Sequence, residues 1–207
     1  VPAILNGIGP YQDKETMFSQ PLIWEYAKAL NYNTFFLSSH QLSMFAFDDF
    51  YDKSALDYYY HQEISGNPLF NELGMDDKFA TEQLSKKLSE FKNDRFFGVI
   101  QYNTTHYPYT VPEEFMKWGD EKIMDNYFNA MYYQDQLLKR LITHMEKENL
   151  MSNTIIICVS DHSEAINEHK NIGHLETNYI ETLDIPMMMY VPNGLLKSEE
   201  LNNLKSN

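Results

Sequence analysis

The feature that most constrains this chain is an alternation of short apolar runs with stretches of helical apolar period. Residues 34–38, 96–102 and 154–160 are short runs rich in aromatic and β-branched residues, and a fourth run, 187–191, follows Pro186. Their apolar positions are nearly continuous, a pattern that predicts strands covered on both faces, as in a parallel sheet flanked by helices. Between them, Leu22, Ile23, Tyr26, Ala27 and Leu30 keep the 3.6-residue period, as do Phe79, Ala80, Leu84, Leu88 and Phe91, with Asp76 or Asp77 available to cap the helix start. The longest predicted helix runs over about 121–148, with Ile123, Tyr127, Ala130, Met131, Leu137, Leu138, Leu141, Ile142 and Met145 on one stripe. Asp135 falls on that stripe, which predicts a partly buried, hydrogen-bonded structural residue. The expectation is an α/β domain with a largely parallel sheet and helices on both faces. In it, 96–102 and 154–160 are neighbouring or near-neighbouring parallel strands joined by the long helix. The Met187-Met188-Met189 run reads as a buried strand, because alternate members point to opposite faces. The acidic, Tyr-rich region at about 40–75 reads as an irregular insertion, with a lid and a surface excursion both open.

The 207 residues are one domain's worth of chain, and 43% hydrophobic composition supplies a sizeable core. Sixteen Lys and Arg against thirty Asp and Glu leave a net charge of -14, which argues against nucleic acid as a partner. The longest apolar stretches fall well short of the roughly 20 residues of a membrane helix. Cys158 is the single cysteine, so no internal disulfide is available. The chain starts at Val1 and ends in a polar run, 201–207; it reads as a fragment whose anchor would lie upstream.

In open α/β sheets ligands bind beyond the carboxyl ends of strands. The residues there are Asn103-Thr104-Thr105-His106-Tyr107-Pro108 after one run and Asp161-His162-Ser163-Glu164 after another, with Gly173-His174 further on. An adjacent carboxylate and imidazole leaving a strand can turn toward one cation, and this donor pair suits Zn²⁺ or Mn²⁺ better than Mg²⁺ or Ca²⁺. The residues alone equally allow a strand-end Asp that caps the next turn beside an exposed His. His61 and His144 read as packing or surface residues, and His40 as a turn residue placed where it could approach a substrate.

The order Val1-Pro2-Ala3-Ile4-Leu5-Asn6-Gly7, residues 97–108, Ser160-Asp161-His162-Ser163-Glu164, Gly173-His174 and 185–192 resembles the alkaline phosphatase and sulfatase superfamily over nearly the whole chain. Within it the chain is most similar to membrane-anchored phosphoethanolamine transferases and lipoteichoic acid synthases. Its most specific piece is similar to the family's S-D-H-G-E. The resemblance implies that Asp161 and His162 bind the metal, Zn or Mn, with one or two ions in the complete enzyme. It implies that His106, followed by Pro108 and Tyr109, contacts the transferred group, and that His174 is a further catalytic histidine, ahead of His169. It also implies a phosphate- or sulfate-ester substrate, lipid-linked or part of an envelope polymer, and a periplasmic or extracytoplasmic location.

Two departures stand out. Ser163 replaces the family's usual Gly. By the same resemblance, the nucleophile and the first metal carboxylate belong upstream of Val1, so the chain alone is expected to be inactive and to bind metal weakly. Aligning Leu5-Asn6-Gly7 with the end of the sulfatase signature puts Val1 where its Arg belongs, which favours a Thr or Ser enzyme acting on phosphate esters. The alternative is a non-catalytic relative that keeps the fold and binds a lipid or a protein partner.

Overall fold

Apolar runs become strands and periodic stretches become helices in a computed structural model that describes residues 1–9, 12–45, 47–51, 53–174, 179–197 and 199–200. The chain divides into two units, Val1–Leu141 and Ile142–Asn207. In the first, Pro2 opens α1 (Pro2–Asn6), which ends at Gly7 with φ 70°. Asp13 caps α2 (Lys14–Ser19) by accepting the Thr16 N–H at 2.8 Å, and α3 (Ile23–Ala29) buries Trp24 and Ala27. The next element, β1 (Asn33–Ser38), is the centre of the sheet, with Phe35, Phe36 and Leu37 buried.

The region at about 40–75, expected to be irregular, carries α4 (Phe47–Phe50), β2 (Tyr58–Tyr60) and α5 (Gln62–Ser65). Its strand pairs in parallel with β1, Phe35 opposite Tyr58, so this region supplies an edge of the sheet. Glu63 ties the region together: its carboxylate accepts the N–H groups of Leu42 and Ser43, the Ser43 hydroxyl and His61 Nδ1. On the far side of β1 lies β3 (Phe96–Gln101), again parallel, after α6 (Asp77–Glu90). Gly98 stands opposite Phe35, and a Cβ there would come within 1.8 Å of that ring, so glycine is what lets the ring cross the strand. Leu5, Leu22, Trp24, Phe36, Leu42, Phe50 and Tyr51 pack as one core cluster.

The long helix α7 (Ile123–Lys147) buries Ala130, Tyr133, Leu137, Leu141 and Met145. Met131 is exposed, and so is Asp135, whose carboxylate accepts Gln136 Nε2 at 3.1 Å. This corrects the expected burial of Asp135. The apolar positions of α7 cover more than one face, and the buried one runs through 130, 133, 137 and 141, nearly opposite Asp135 at about 155° round the axis.

The second unit contains β4 (Ile156–Val159), β5 (Ala165–Ile166), β6 (Ile172–Gly173), α8 (Ile180–Leu183) and β7 (Met187–Tyr190). β4 pairs antiparallel with β7, and β5 antiparallel with β6. Among the described residues the partner of β3 is parallel β1 and that of β4 is antiparallel β7. The strands of this β4–β7 ribbon are not covered: Ile157 is 54% exposed, and Met187 and Met188 are each 61% exposed. An apolar run records what a strand could bury, and it reads the same whether or not another element covers it. The polar run 201–207 lies outside the described residues. Among those described, no helix is long and apolar enough to cross a membrane.

Candidate metal centre and histidine loop

In the second unit the chain leaves β4 at Val159 and turns sharply, the Ser160 hydroxyl donating to the carbonyl of His162. Asp161 and His162 therefore leave the strand together, with Asp161 Oδ1 3.8 Å from His162 Nε2. Ser163 is not among the residues with positive φ, so its backbone does not require the family's glycine. It donates its N–H to the carbonyl of Thr182 at 3.2 Å, which fixes the turn against α8.

The β5–β6 hairpin then brings His174 back. Its register, Ala165 opposite Gly173, places Glu164 beside His174, and Gly173 holds φ 87°, a conformation that favours glycine. The rings of His162 and His174 stack with centroids 3.5 Å apart. His169 sits instead in the turn of the hairpin, paired with Glu181 at 2.6 Å and stacked on Tyr179.

Hydrogen bonds fix which ring nitrogens carry protons. His162 Nδ1 meets the carbonyl oxygen of Ser163 at 3.1 Å, and an oxygen with no hydrogen can only accept, so Nδ1 carries a proton and Nε2 is the nitrogen that bears the lone pair in the neutral ring. His174 Nδ1 meets Glu164 Oε1 at 3.3 Å, where the nearly buried carboxylate sets the same tautomer. Asp161 Oδ1 thus faces His162 Nε2, a carboxylate oxygen beside an imidazole nitrogen. Bonds of about 2.0–2.2 Å bring two ligands of one ion to roughly 3.5 Å apart, so the pair is slightly open. A carboxylate and an imidazole nitrogen are donor types that suit Zn²⁺ or Mn²⁺, and Glu164 is the kind of partner that orients the ring of His174. Sequence reasoning passed over Glu164, although it closes the quoted motif.

His106 belongs to the first unit, on the loop beyond β3. Its N–H donates to the carbonyl of Asn103 at 3.0 Å, and its Nδ1 donates to the carbonyl of Tyr107 at 2.8 Å, so here too Nε2 bears the lone pair. Asn103 and Thr104, at the root of this loop, are buried. His40 turns its Nε2–H to the carbonyl of Tyr102, and His61 is buried beside Glu63.

A parallel sheet whose chemistry-bearing loops follow the strand ends, with a separate carboxylate–imidazole turn, is the architecture of alkaline phosphatase-like sulfatase domains. The lipoteichoic acid synthase LtaP from Listeria monocytogenes superposes with a TM-score of 0.78 over 94% of this chain and 53% of that one, at 16% identity. The C-terminal periplasmic domain of EcEptC from Escherichia coli, in complex with Zn, does so with 0.72 over 93% and 57%, at 17% identity. In sequence, lipoteichoic acid synthase from Staphylococcus aureus (strain USA300) is 28% identical over 146 residues, 68% of this chain and 21% of that protein. The sulfatase family model matches residues 1–206, and the chain belongs to the sulfatase family. It spans about half the length of the LtaP chain and matches about a fifth of the staphylococcal protein.

Proposed function

We propose that this chain is part of a metal-dependent phosphotransferase or phosphohydrolase acting on lipid-linked or polymer head groups, such as phosphoethanolamine, at the extracytoplasmic face of a membrane. The observation that carries the reading is that His162 and His174 each commit Nδ1–H to an oxygen acceptor, with Asp161 Oδ1 3.8 Å from His162 Nε2. Asp161 and His162 hold the ion. A divalent zinc or manganese bound there supplies Lewis acidity toward a non-bridging oxygen of the ester. His174, oriented by Glu164, and His106, oriented by the Tyr107 carbonyl, accept a proton at Nε2 and in that form donate to the transferred group or to the leaving oxygen. The staphylococcal relative, named as a lipoteichoic acid synthase, supports the choice of an envelope polymer as the substrate class.

The test is metal content and phosphotransfer measured together in the full-length protein. Asp161→Ala and His162→Ala are expected to lose both, the turnover by about a hundredfold or more. His169→Ala, which breaks only the pair with Glu181, keeps both. Metal and turnover that survive Asp161→Ala would contradict the reading; absence of turnover in the parent protein would favour a non-catalytic, ligand-binding relative.

A further inference from the structure

Asp77 is fully buried, yet α6 does not need it as a cap, because Asp76 accepts the Lys78 N–H at 2.9 Å and the Tyr133 hydroxyl at 2.5 Å. Both oxygens of Asp77 reach across to the loops that leave the sheet. One accepts the Ser39 hydroxyl, just past β1, and the Asn103 N–H at 3.0 Å; the other accepts the Thr104 N–H at 3.0 Å, just past β3. A carboxylate is costly to bury unless each oxygen is satisfied, and burial does push this carboxyl up while these hydrogen bonds pull it back.

The geometry points to Asp77 as a positioning residue for His106, acting through the backbone of Asn103 and Thr104. The connection is short and has no loose joint. Asn103 is also clamped by its side chain, which donates to the carbonyls of Ser39 and Met75 and accepts from Asn71. From Asn103 the chain closes directly on His106, whose N–H returns to the Asn103 carbonyl. Gly74 makes the approach possible: a Cβ there would lie 1.9 Å from the Ser39 carbonyl oxygen, so only glycine lets the segment entering α6 run against the end of β1. The inference rests on the reading of His106 as the contact to the transferred group, but the placement of the loop can be measured without it.

Asp77→Asn and Asp76→Asn are compared in the full-length protein. Asp76 is equally buried and bonds to a helix cap and a tyrosine, so it reports the cost of disturbing this core without touching the loop. Amide exchange at Thr104 and His106, corrected for global stability, is expected to rise about tenfold in Asp77→Asn and to stay near the parent rate in Asp76→Asn. The ¹⁵N signals of the His106 ring should pass from a single Nδ1–H tautomer to a mixture in Asp77→Asn alone. If Asp77→Asn does not fold, Ser39→Ala removes one of its donors and should speed exchange at Thr104 in the same direction, by a few fold. Exchange at Thr104 and His106 within twofold of the parent in the folded Asp77 variant, or in Ser39→Ala when it must serve, would overturn the inference, as would an equal rise in Asp76→Asn. In turnover, Asp77→Asn should lower kcat about tenfold with little change in KM and add little in a His106→Ala background; multiplicative losses there would also overturn it. A His106→Ala variant with parental turnover would defeat the functional reading of His106 while the exchange data still decided the positioning claim.

Discussion

The two units place their chemistry by opposite means. In the first, β1 is buried along its length between two parallel neighbours, and the loop that carries His106 is rooted in buried polar groups, Asn103, Thr104 and Asp77. In the second, β4 and β7 form a ribbon with exposed apolar side chains, and Asp161, His162 and His174 are held by a turn, a two-residue hairpin and individual oxygen acceptors. The lesson is that accuracy at a site does not require a core beneath it, provided that each ring has a partner to set its orientation and tautomer. It follows that substitutions in the first unit should be felt mainly as stability, and those around the turn of the second mainly as chemistry.

The sharpest break of this comparison comes from Phe36→Ala, which empties the centre of the main core cluster and should cost about 3–5 kcal/mol in urea unfolding. A loss below about 1 kcal/mol would mean that the core is not where this account puts it. Gly98→Ala should cost less, about 1–3 kcal/mol, because the Phe35 ring must move away from the new methyl group. A neutral result there would show that β1 and β3 can separate without penalty.

A smaller effect is tied to acid. Burial works to raise the Glu63 carboxyl, but hydrogen bonds from Ser43 and His61 outweigh it and hold it down from 4.5 to about 2. A carboxylate depressed in the folded state gives stability that is complete above its unfolded value and fades as pH falls from about 4.5 toward 2. Glu63→Gln should therefore remove roughly 1–2 kcal/mol at neutral pH, after discounting for solvent screening, and flatten the acid limb of a stability–pH curve. An unchanged acid limb would refute the role of Glu63 as the tie of that region. Smallest of all, Met188→Ala in the exposed ribbon should stay within about 0.5 kcal/mol of the parent. A loss comparable to that of Phe36→Ala would erase the contrast between the units.

How much of this was legible in the sequence depended on whether the signal lay in side chains. Helices α3, α6 and α7 and strands β1 and β3 follow from periodicity and composition, within a residue or two at each end. Strand β2 did not, because three tyrosines in an acidic stretch carry too short a pattern to tell a sheet edge from a loop. The exposure of β4 and β7 was illegible for a different reason: an apolar run looks the same whether or not something covers it. On α7 the apolar residues were found but the phase was not, since Met131 and Leu138 offered a second plausible face and drew Asp135 with them. At the candidate site, Asp161, His162, His106 and His174 stood out as ligand-capable side chains beyond strand ends. The parts played by Glu164 and Asp77 were hidden, one because the hairpin register that brings it to His174 is not written in spacing, the other because its partners lie on distant loops and include backbone N–H groups.

The claim at the centre of this account is that His162 is preset to give its Nε2 atom to a metal beside Asp161, with His174 held in the same Nδ1–H tautomer. It is tested most directly by following the ¹⁵N ring signals of His162 and His174 in the full-length protein during titration with Zn²⁺. The account predicts Nδ1–H tautomers in both rings before metal is added and a saturable shift at His162 Nε2 that Asp161→Ala abolishes. A shift centred on Nδ1, or no saturable response at His162, would contradict it.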